Sequence, residues 1–345
     1  MNAIKILTAG TLATVQDTGR IGHQGEGLPN SGVMDNFAYQ IGNALVGNCP
    51  SDNSASIEFA ITGGKIQFSS QTIVALTGAR ALVKRNDEVV SQDMPILVKE
   101  NDVLDFTQIT QGRFIYLSVA GGVQVPTRMG SRSTSLSIKL GGFDGRSLGQ
   151  GDVLPILSLT EAWPRLQPKL SPQMPNQLVS LTTRHKVRIV DGPESDWFSN
   201  KDWEKLLSQA FHLGKHIDRM GYRLDGPKIN AKTENLLSEA NMNGAIQISR
   251  DGQPIILLAD RATHGGYPVI AKVMTADLGI LAQWPQDQPI FFEKVAISNA
   301  WEMTAEMDRF IKGVYQSHPW ETLLSIRIMA NKIKQLFKTI QTYLR

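Results

Sequence analysis

Asp260 and Arg261 stand side by side where an apolar run ends, in the segment LLADRATHGGYP, residues 257–268. Thr263, His264 and Tyr267 add hydroxyl and imidazole groups around the Gly265-Gly266 pair. A guanidinium can stabilise negative charge developing on a carbonyl or phosphoryl oxygen, and a nearby carboxylate can orient it or take a proton. The glycines let a backbone approach that a Cβ would block. Four other segments carry comparable groups.

The first, TVQDTGRIGHQGEGLPNSGVMD at residues 14–35, places Gln16, Asp17, Arg20, His23, Ser31 and Asp35 on a long glycine-rich loop. Loops of that length in compact domains are usually functional or disordered, although an Asp17–Arg20 pair within the loop would give it a purely structural role. In GSRSTSLSIKLGGFDGRSLGQGD, residues 130–152, Arg132 and Arg146 could grip a carboxylate or phosphate in two-point fashion, or satisfy local carbonyls. The spacing is not that of a phosphate-binding P-loop. DRMGYRLDGP (218–227) and LLSEANMNGAIQI (236–248) contribute Arg219, Arg223, Glu239 and Gln247.

Other chemistries are poorly served. There is no G-x-S-x-G elbow for a serine nucleophile and no H-E-x-x-H zinc spacing. His212 and His216 are four apart, but Gly214 between them argues against a helical metal site, and none is expected. A single cysteine, Cys49, excludes an internal disulfide. The net charge of +3 is too small and dispersed for nucleic acid. No apolar run approaches the roughly 18 residues of a membrane span, and no signal-peptide core follows the strand-like Ile4-Lys5-Ile6 start. These features lead to the expectation of a reduced, cytoplasmic protein.

The elements that must position these groups are mostly strands. Ile255–Ala259, after a Gly-Gln-Pro turn, is expected to be a buried strand that delivers Asp260 and Arg261. Lys65–Phe68, Ile73–Leu76, Ile96–Val98, Val103–Phe106 and Phe114–Val119 read as further strands between Gly, Asn and Asp punctuation. Helical spacing predicts a helix over Asp35–Val46, with Asp35 as cap, and a short one over Lys201–Gln209. At 345 residues the chain has room for two domains. The expected division is a β-domain at 1–160, a proline-rich linker at 161–185, a second β-domain at 186–298 and a helical tail at 299–345.

The two β-regions also resemble each other. Glu58 precedes GGKIQF and then Ile73–Leu76, as Glu239 precedes GAIQI and then Ile255–Leu258. Asp17 with Gly22 and Gly27 parallels Asp218 with Gly221 and Gly226. An internal duplication is the expectation, with a ligand cleft between its halves. In the tail, Ile326, Met329, Ile333, Leu336, Ile340 and Tyr343 keep helical spacing beside basic residues. Packing on the protein itself or on a neighbouring protein of a complex is expected there, with membrane-surface binding as the alternative.

Taken in order, TVQDTGRIGHQGEGLPNSGVMD, GSRSTSLSIKLGGFDGR, DRMGYRLDGP, GAIQI and LLADRATHGGYP resemble the biotin-dependent carboxyltransferase family, which includes allophanate hydrolase subunit 2, KipA and the C subunit of 5-oxoprolinase. The resemblance covers roughly residues 4–295. It implies two cyclophilin-like β-barrel domains. Its leading functional implication is an ATP-dependent 5-oxoprolinase complex that opens 5-oxoproline to glutamate, in which this chain works with a KipI-type sister subunit and a third subunit of the LamB/YcsF type. One alternative is carboxyl transfer from carboxybiotin to urea or a related amide. The chain has no Ala-Met-Lys-Met tetrapeptide, so biotin would come in trans. Another is a KipA-like module that antagonises a kinase inhibitor.

The resemblance carries site roles onto Gln16, Asp17, Arg20, Ser31, Asp35, Arg132, Ser133, Arg219, Arg223, Gln247, Thr263, Gly265, Gly266 and Tyr267 as substrate-binding, and onto Asp260, Arg261 and Glu239 as catalytic. Where the family has ADRQTTGGYP, this chain has Ala262 and His264, and Ile248-Ser249 replaces the usual Val-Pro. Those departures bear on substrate identity more than on fold.

Overall fold

A computed structural model describes residues 2–162, 186–232 and 237–316. Up to residue 162 the chain forms β1 (Ala3–Thr8), β2 (Leu12–Gln16), helix α1 (Asn36–Leu45), β3 (Ser56–Ala60), β4 (Lys65–Phe68), β5 (Thr72–Ala81), β6 (Lys84–Arg85), β7 (Glu88–Val89), β8 (Ile96–Val98), β9 (Val103–Asp105), β10 (Ile109–Val119), β11 (Val153–Pro155) and α2 (Leu159–Ala162). From residue 186 follow β12 (Lys186–Asp191), α3 (Asn200–Ser208), β13 (His212–Ile217), β14 (Gly221–Asp225), β15 (Glu239–Ala240), β16 (Ala245–Ile248), β17 (Pro254–Leu257), β18 (His264–Gly265), β19 (Val269–Val273), α4 (Leu278–Ala282), β20 (Phe291–Lys294) and α5 (Ile297–Gln316). The expected mainly-β fold with short helices is what forms.

Among the described residues the strands make two N-terminal sheets, in the orders β11-β1-β4-β9-β6-β7 and β2-β3-β10-β5-β8. Side-chain alternation explains how they close on each other. Ile4 and Ile6 of β1, Ile66 and Phe68 of β4, Ala13 and Val15 of β2, Ile57 and Phe59 of β3, and Ile115 and Leu117 of β10 point into one shared core. The intervening residues therefore face outward, and in the second sheet these are Thr14, Glu58 and Tyr116, which lie in register across three strands. Their outward face is the one that receives the rest of the molecule.

The C-terminal strands form a sheet ordered β13-β14-β17-β16-β19-β12-β20, plus the small pair β15-β18. Its inner face, with Tyr222, Leu224, Ile246, Ile256, Ala271 and Val273, is completed by Met34, Ala38, Ala60, Phe114 and Tyr116 from the N-terminal half. A third cluster joins α1 and α5 to Ile73 and Ala75 of β5, and Phe37 stacks on Phe310 there. Helix α1 starts as expected, with the Asp35 carboxylate accepting from Ala38 N at 3.0 Å. Ser199 caps α3 in the same way, so that helix begins slightly before the expected Lys201.

Some expectations change. The pair Asp17 and Asp218 do hold like places: each follows a strand and accepts from the amide two residues on, Gly19 N and Met220 N. Glu58 and Glu239 do not, because Glu58 is buried in the middle of β3 whereas Glu239 is exposed in the two-residue β15. With two sheets in one half and one large sheet in the other, the topology does not establish a duplication. His212 and His216 lie on strand β13 rather than a helix, and no metal-binding cluster occurs among the described residues. The proline-rich stretch after residue 162 and the periodic positions from Ile326 onward fall outside the described residues, while the tail's beginning is helical in α5. No helix among the described residues is long and apolar enough to cross a membrane.

Candidate functional site

The two halves meet through a buried ionic bridge. Arg219 follows β13 and donates to Asp260 from Nε (2.8 Å) and Nη2 (3.2 Å), to Glu58 from Nη1, and to the carbonyl of Gly32. All three charged groups are nearly fully buried. Burial pulls the Arg219 guanidinium down, and Glu58 and Asp260 more than reverse this, leaving it above its ordinary value. The second oxygen of Glu58 accepts from Met34 N (2.9 Å) and from the Tyr116 hydroxyl (2.7 Å). Burial, with Glu58 adding to it, pushes the Tyr116 phenol well up, so it stays protonated and donates. Its oxygen in turn accepts from Asp35 N at 2.8 Å.

A second hub fixes the loop after β2. The Asp17 carboxylate accepts from Ser131 Oγ (2.6 Å), Ser133 Oγ (2.5 Å), Gly19 N (2.9 Å), Arg132 N (2.6 Å) and Asn53 Nδ2 (3.1 Å). It makes no ion pair with Arg20. Arg20 is fully buried, donates to Ser133 O at 2.8 Å and Arg128 O at 3.2 Å, and keeps Nη1 without a partner. Burial lowers its guanidinium, while Asp17 and Asp260 oppose the shift. Ser31, in a left-handed conformation at φ 54°, and Asn30 also hold buried oxygens with no partner. Unsatisfied buried groups of this kind are uncommon.

The 17–35 loop then crosses to the C-terminal half. Gln24 Nε2 donates to Asn241 O (2.9 Å) and Thr263 O (2.8 Å), and the Asp35 carboxylate accepts from Gln283 Nε2 (3.0 Å). Asn241 organises the segment opposite: it accepts from Arg261 Nε at its carbonyl (3.0 Å) and from Gln247 Nε2 at its side chain (2.9 Å). Gly265 packs so closely that a Cβ would lie 2.8 Å from both Asn241 Oδ1 and Gln247 Nε2. Arg261 is buried, and burial lowers its guanidinium.

Most of the predicted residues converge here. Arg20, Ser31, Asp35, Arg219, Gln247, Asp260, Arg261, Thr263 and Gly265 lie along the seam between the 17–35 loop and the 258–267 segment, and Asp17 and Ser133 hold that loop from behind. Gln16 donates to Thr134 O beside them. Others do not join. Arg223 pairs with Asp251 at the surface, and Arg146 makes its two-point grip on Asp152 of its own loop. Arg132 donates to Val125 O, which is the local satisfaction of carbonyls anticipated for that segment. Glu239, Gly266 and Tyr267 are exposed at the outer edge, and Thr263 Oγ1 bonds the exposed His264.

Sequence reasoning missed several members. Glu58 was visible as a lone charge inside the apolar strand SIEFA, a signal that a buried partner exists. Gln24, Tyr116, Asn241 and Gln283 carried no comparable signal, since their roles depend on long-range pairing.

Residues 26–294 match a family model described as carboxyltransferase domain, subdomain A and B. The chain is 34% identical to the C subunit of 5-oxoprolinase from Escherichia coli (strain K12), covering 90% of this chain and 96% of that protein. It is 33% identical to the protein of the same name from Haemophilus influenzae, over 90% and 97% of the two. The solved urea carboxylase of Kluyveromyces lactis superposes with a TM-score of 0.82 at 30% identity, over 90% of this chain and 29% of that one. This chain therefore spans less than a third of that solved enzyme.

Proposed function

The chain belongs to the carboxyltransferase family built of subdomains A and B, and from that membership we propose that it is the C subunit of an ATP-dependent 5-oxoprolinase complex. One observation carries the reading: near end-to-end similarity to a protein of that name, at 34% identity over 96% of its length. The reaction would break the lactam C–N bond of 5-oxoproline, place the oxygen of water on the carbonyl carbon, and yield glutamate while ATP is hydrolysed. The partners proposed are one subunit of the KipI type and one of the LamB/YcsF type. The division into domains at 1–160 and 186–298, with the site along their seam, belongs to the same proposal.

The pattern of satisfied and unsatisfied donors supports a division of labour. Arg219 spends its donors on Glu58, Asp260 and Gly32, so its role is to position the loops. Asp260 gives both oxygens to Arg219, which favours orientation over general-base work. Arg261 donates to backbone carbonyls from Nε and, at 3.4 Å, from Nη1, and among the described residues it is the arginine of the seam left to meet charge on a reacting oxygen. The glycine-rich 130–152 segment does not fit a phosphate cradle. A Cβ at Gly141 would meet Ser133 O at 2.2 Å, and one at Gly145 would meet Lys139 at 2.2 Å, so these glycines are used in self-packing.

The test is co-expression with the two sister subunits and measurement of ATP-dependent glutamate release from 5-oxoproline. Release should require this chain, and activity that survives its omission would defeat the proposal. The similarity to urea carboxylase favours a second reading, carboxyl transfer from a biotin carrier supplied in trans. Avidin-sensitive carboxylation of urea by the chain plus a biotinylated carrier would replace the first reading.

A further inference from the structure

Five arginines outside the 17–35 loop each hold a carboxylate: Arg80 with Asp93, Arg146 with Asp152, Arg188 with Asp277, Arg219 with Asp260 and Glu58, and Arg223 with Asp251. Arg261 is only 8% exposed and holds none among the described residues. Its Nε donates to Asn241 O, and its Nη1 makes a long 3.4 Å contact to Leu258 O. Lys272 of β19 lies close enough for Arg261 to act on it electrostatically, and it too forms no ion pair among the described residues.

Strand register brings Lys272 to the face of the sheet that carries Gln247, and hydrogen bonds link Gln247 through Asn241 to Arg261. Lys272 pairs with Ala245, and Ala245 shares a face of β16 with Gln247, opposite to the face that sends Ile246 into the core. Gln247 bonds Asn241, whose carbonyl takes Arg261. Residues two apart on a strand are about 7 Å apart, within reach of a lysine side chain. Burial pulls the Lys272 ammonium below its usual value, and Arg261 adds to that pull.

Among the described residues neither cation forms an ion pair with a carboxylate. Asp260 is committed to Arg219 and Asp277 to Arg188, while Glu194 accepts from Val269 N. Glu239 is exposed in β15. Partly desolvated like charges without a counter-ion are unfavourable and are relieved by an anion. We infer that Arg261 and Lys272 form an anion-binding pair, beside Asn241 and Gln247, that holds the carboxylate of a small organic acid. Two cationic donors suit a planar two-oxygen group. Assigning that acid as 5-oxoproline rests on the proposed function.

The experiment is calorimetric titration of the full chain, its Lys272→Met variant and its Lys272→Arg variant with 5-oxoproline, 2-pyrrolidinone and inorganic phosphate. 2-Pyrrolidinone is the same lactam without the carboxylate. The wild type should bind 5-oxoproline, and Lys272→Met should weaken this about ten- to hundred-fold, the loss of one charge-assisted hydrogen bond. Lys272→Arg should restore most of the affinity, and 2-pyrrolidinone should bind weakly and be indifferent to Lys272. Unchanged affinity in a stably folded Lys272→Met variant, or no binding of any of the three compounds by the wild type, overturns the inference. Phosphate binding that depends on Lys272, with none for 5-oxoproline, upholds the anion pair and overturns the 5-oxoproline assignment.

Discussion

Replacing Arg219 by methionine removes the cation that joins the two halves while keeping a side chain of similar reach. The substitution deletes charge-assisted bonds to Glu58 and Asp260 and one to Gly32, and leaves two carboxylates buried without a counter-charge. Breaking a buried pair from one side costs about 3–5 kcal/mol. Unfolding entropy of ~2.1 cal/mol/K per residue gives about 0.7 kcal/mol/K for 345 residues, so the expected fall in melting temperature is roughly 4–7 °C. Differential scanning fluorimetry at neutral pH and fixed salt reads it. The companion variant Glu58→Gln, Arg219→Met, Asp260→Asn removes all the charges together. It should lie above the single variant, because the penalty comes from stranded charge rather than from lost packing. A shift under 1 °C for Arg219→Met, or a triple variant no better than the single one, would refute the reasoning.

Three further outcomes are expected. Burial raises the Asp35 carboxyl above its ordinary 3.8, so the folded state takes up this proton more readily than the unfolded chain, and stability should fall as pH rises from about that value through the raised one; Asp35→Asn should flatten that slope in melts across acidic pH. Gly265→Ala should separate Asn241 from Gln247, costing about 1 kcal/mol in urea titration, with a larger loss of 5-oxoproline binding than of stability. Ser133→Ala removes a donor to Asp17 and an acceptor for Asp17 N, and should cost about 1–3 kcal/mol, whereas Ser137→Ala, in the same segment, should change the melt little.

The parts of the fold visible in the sequence were those governed by neighbours a few residues apart. Lys65–Phe68 and Ile96–Val98 formed as read, and Asp35 capped α1 because a carboxylate three residues before an amide needs no distant help. Strand ends were less legible. The run expected over Ile255–Ala259 stops pairing at Leu257, since the backbone amides of Leu258 and Asp260 turn to Met220 and Arg219 instead. The candidate site was legible as residue types and not as partners. Arg132 and Arg146 had the chemistry of anion grips, but Val125 O and Asp152 took them first. Arg219 had the same chemistry, and what distinguishes it is a glutamate 161 positions away. Such a pairing is set by how sheets stack, which leaves no local trace.

The span between Glu58 and Arg219 has a consequence for how the protein comes into being. The N-terminal sheets hold their own core and can close while later residues are still being synthesised. Glu58 then sits on an outward face, waiting for a cation encoded 161 residues downstream. Those sheets include β11, which ends at Pro155, so Arg219 follows 64 residues later, roughly 3–13 s at translation rates of about 5–20 residues per second, and until then the 17–35 loop lacks every one of its C-terminal anchors. Until Arg219, Asn241, Thr263 and Gln283 have left the ribosome, the nascent chain leaves Met34, Ala60, Phe114 and Tyr116 uncovered around the lone charge of Glu58. Apolar surface of that kind invites association, and it becomes buried only when the C-terminal sheet has been made and can close over it.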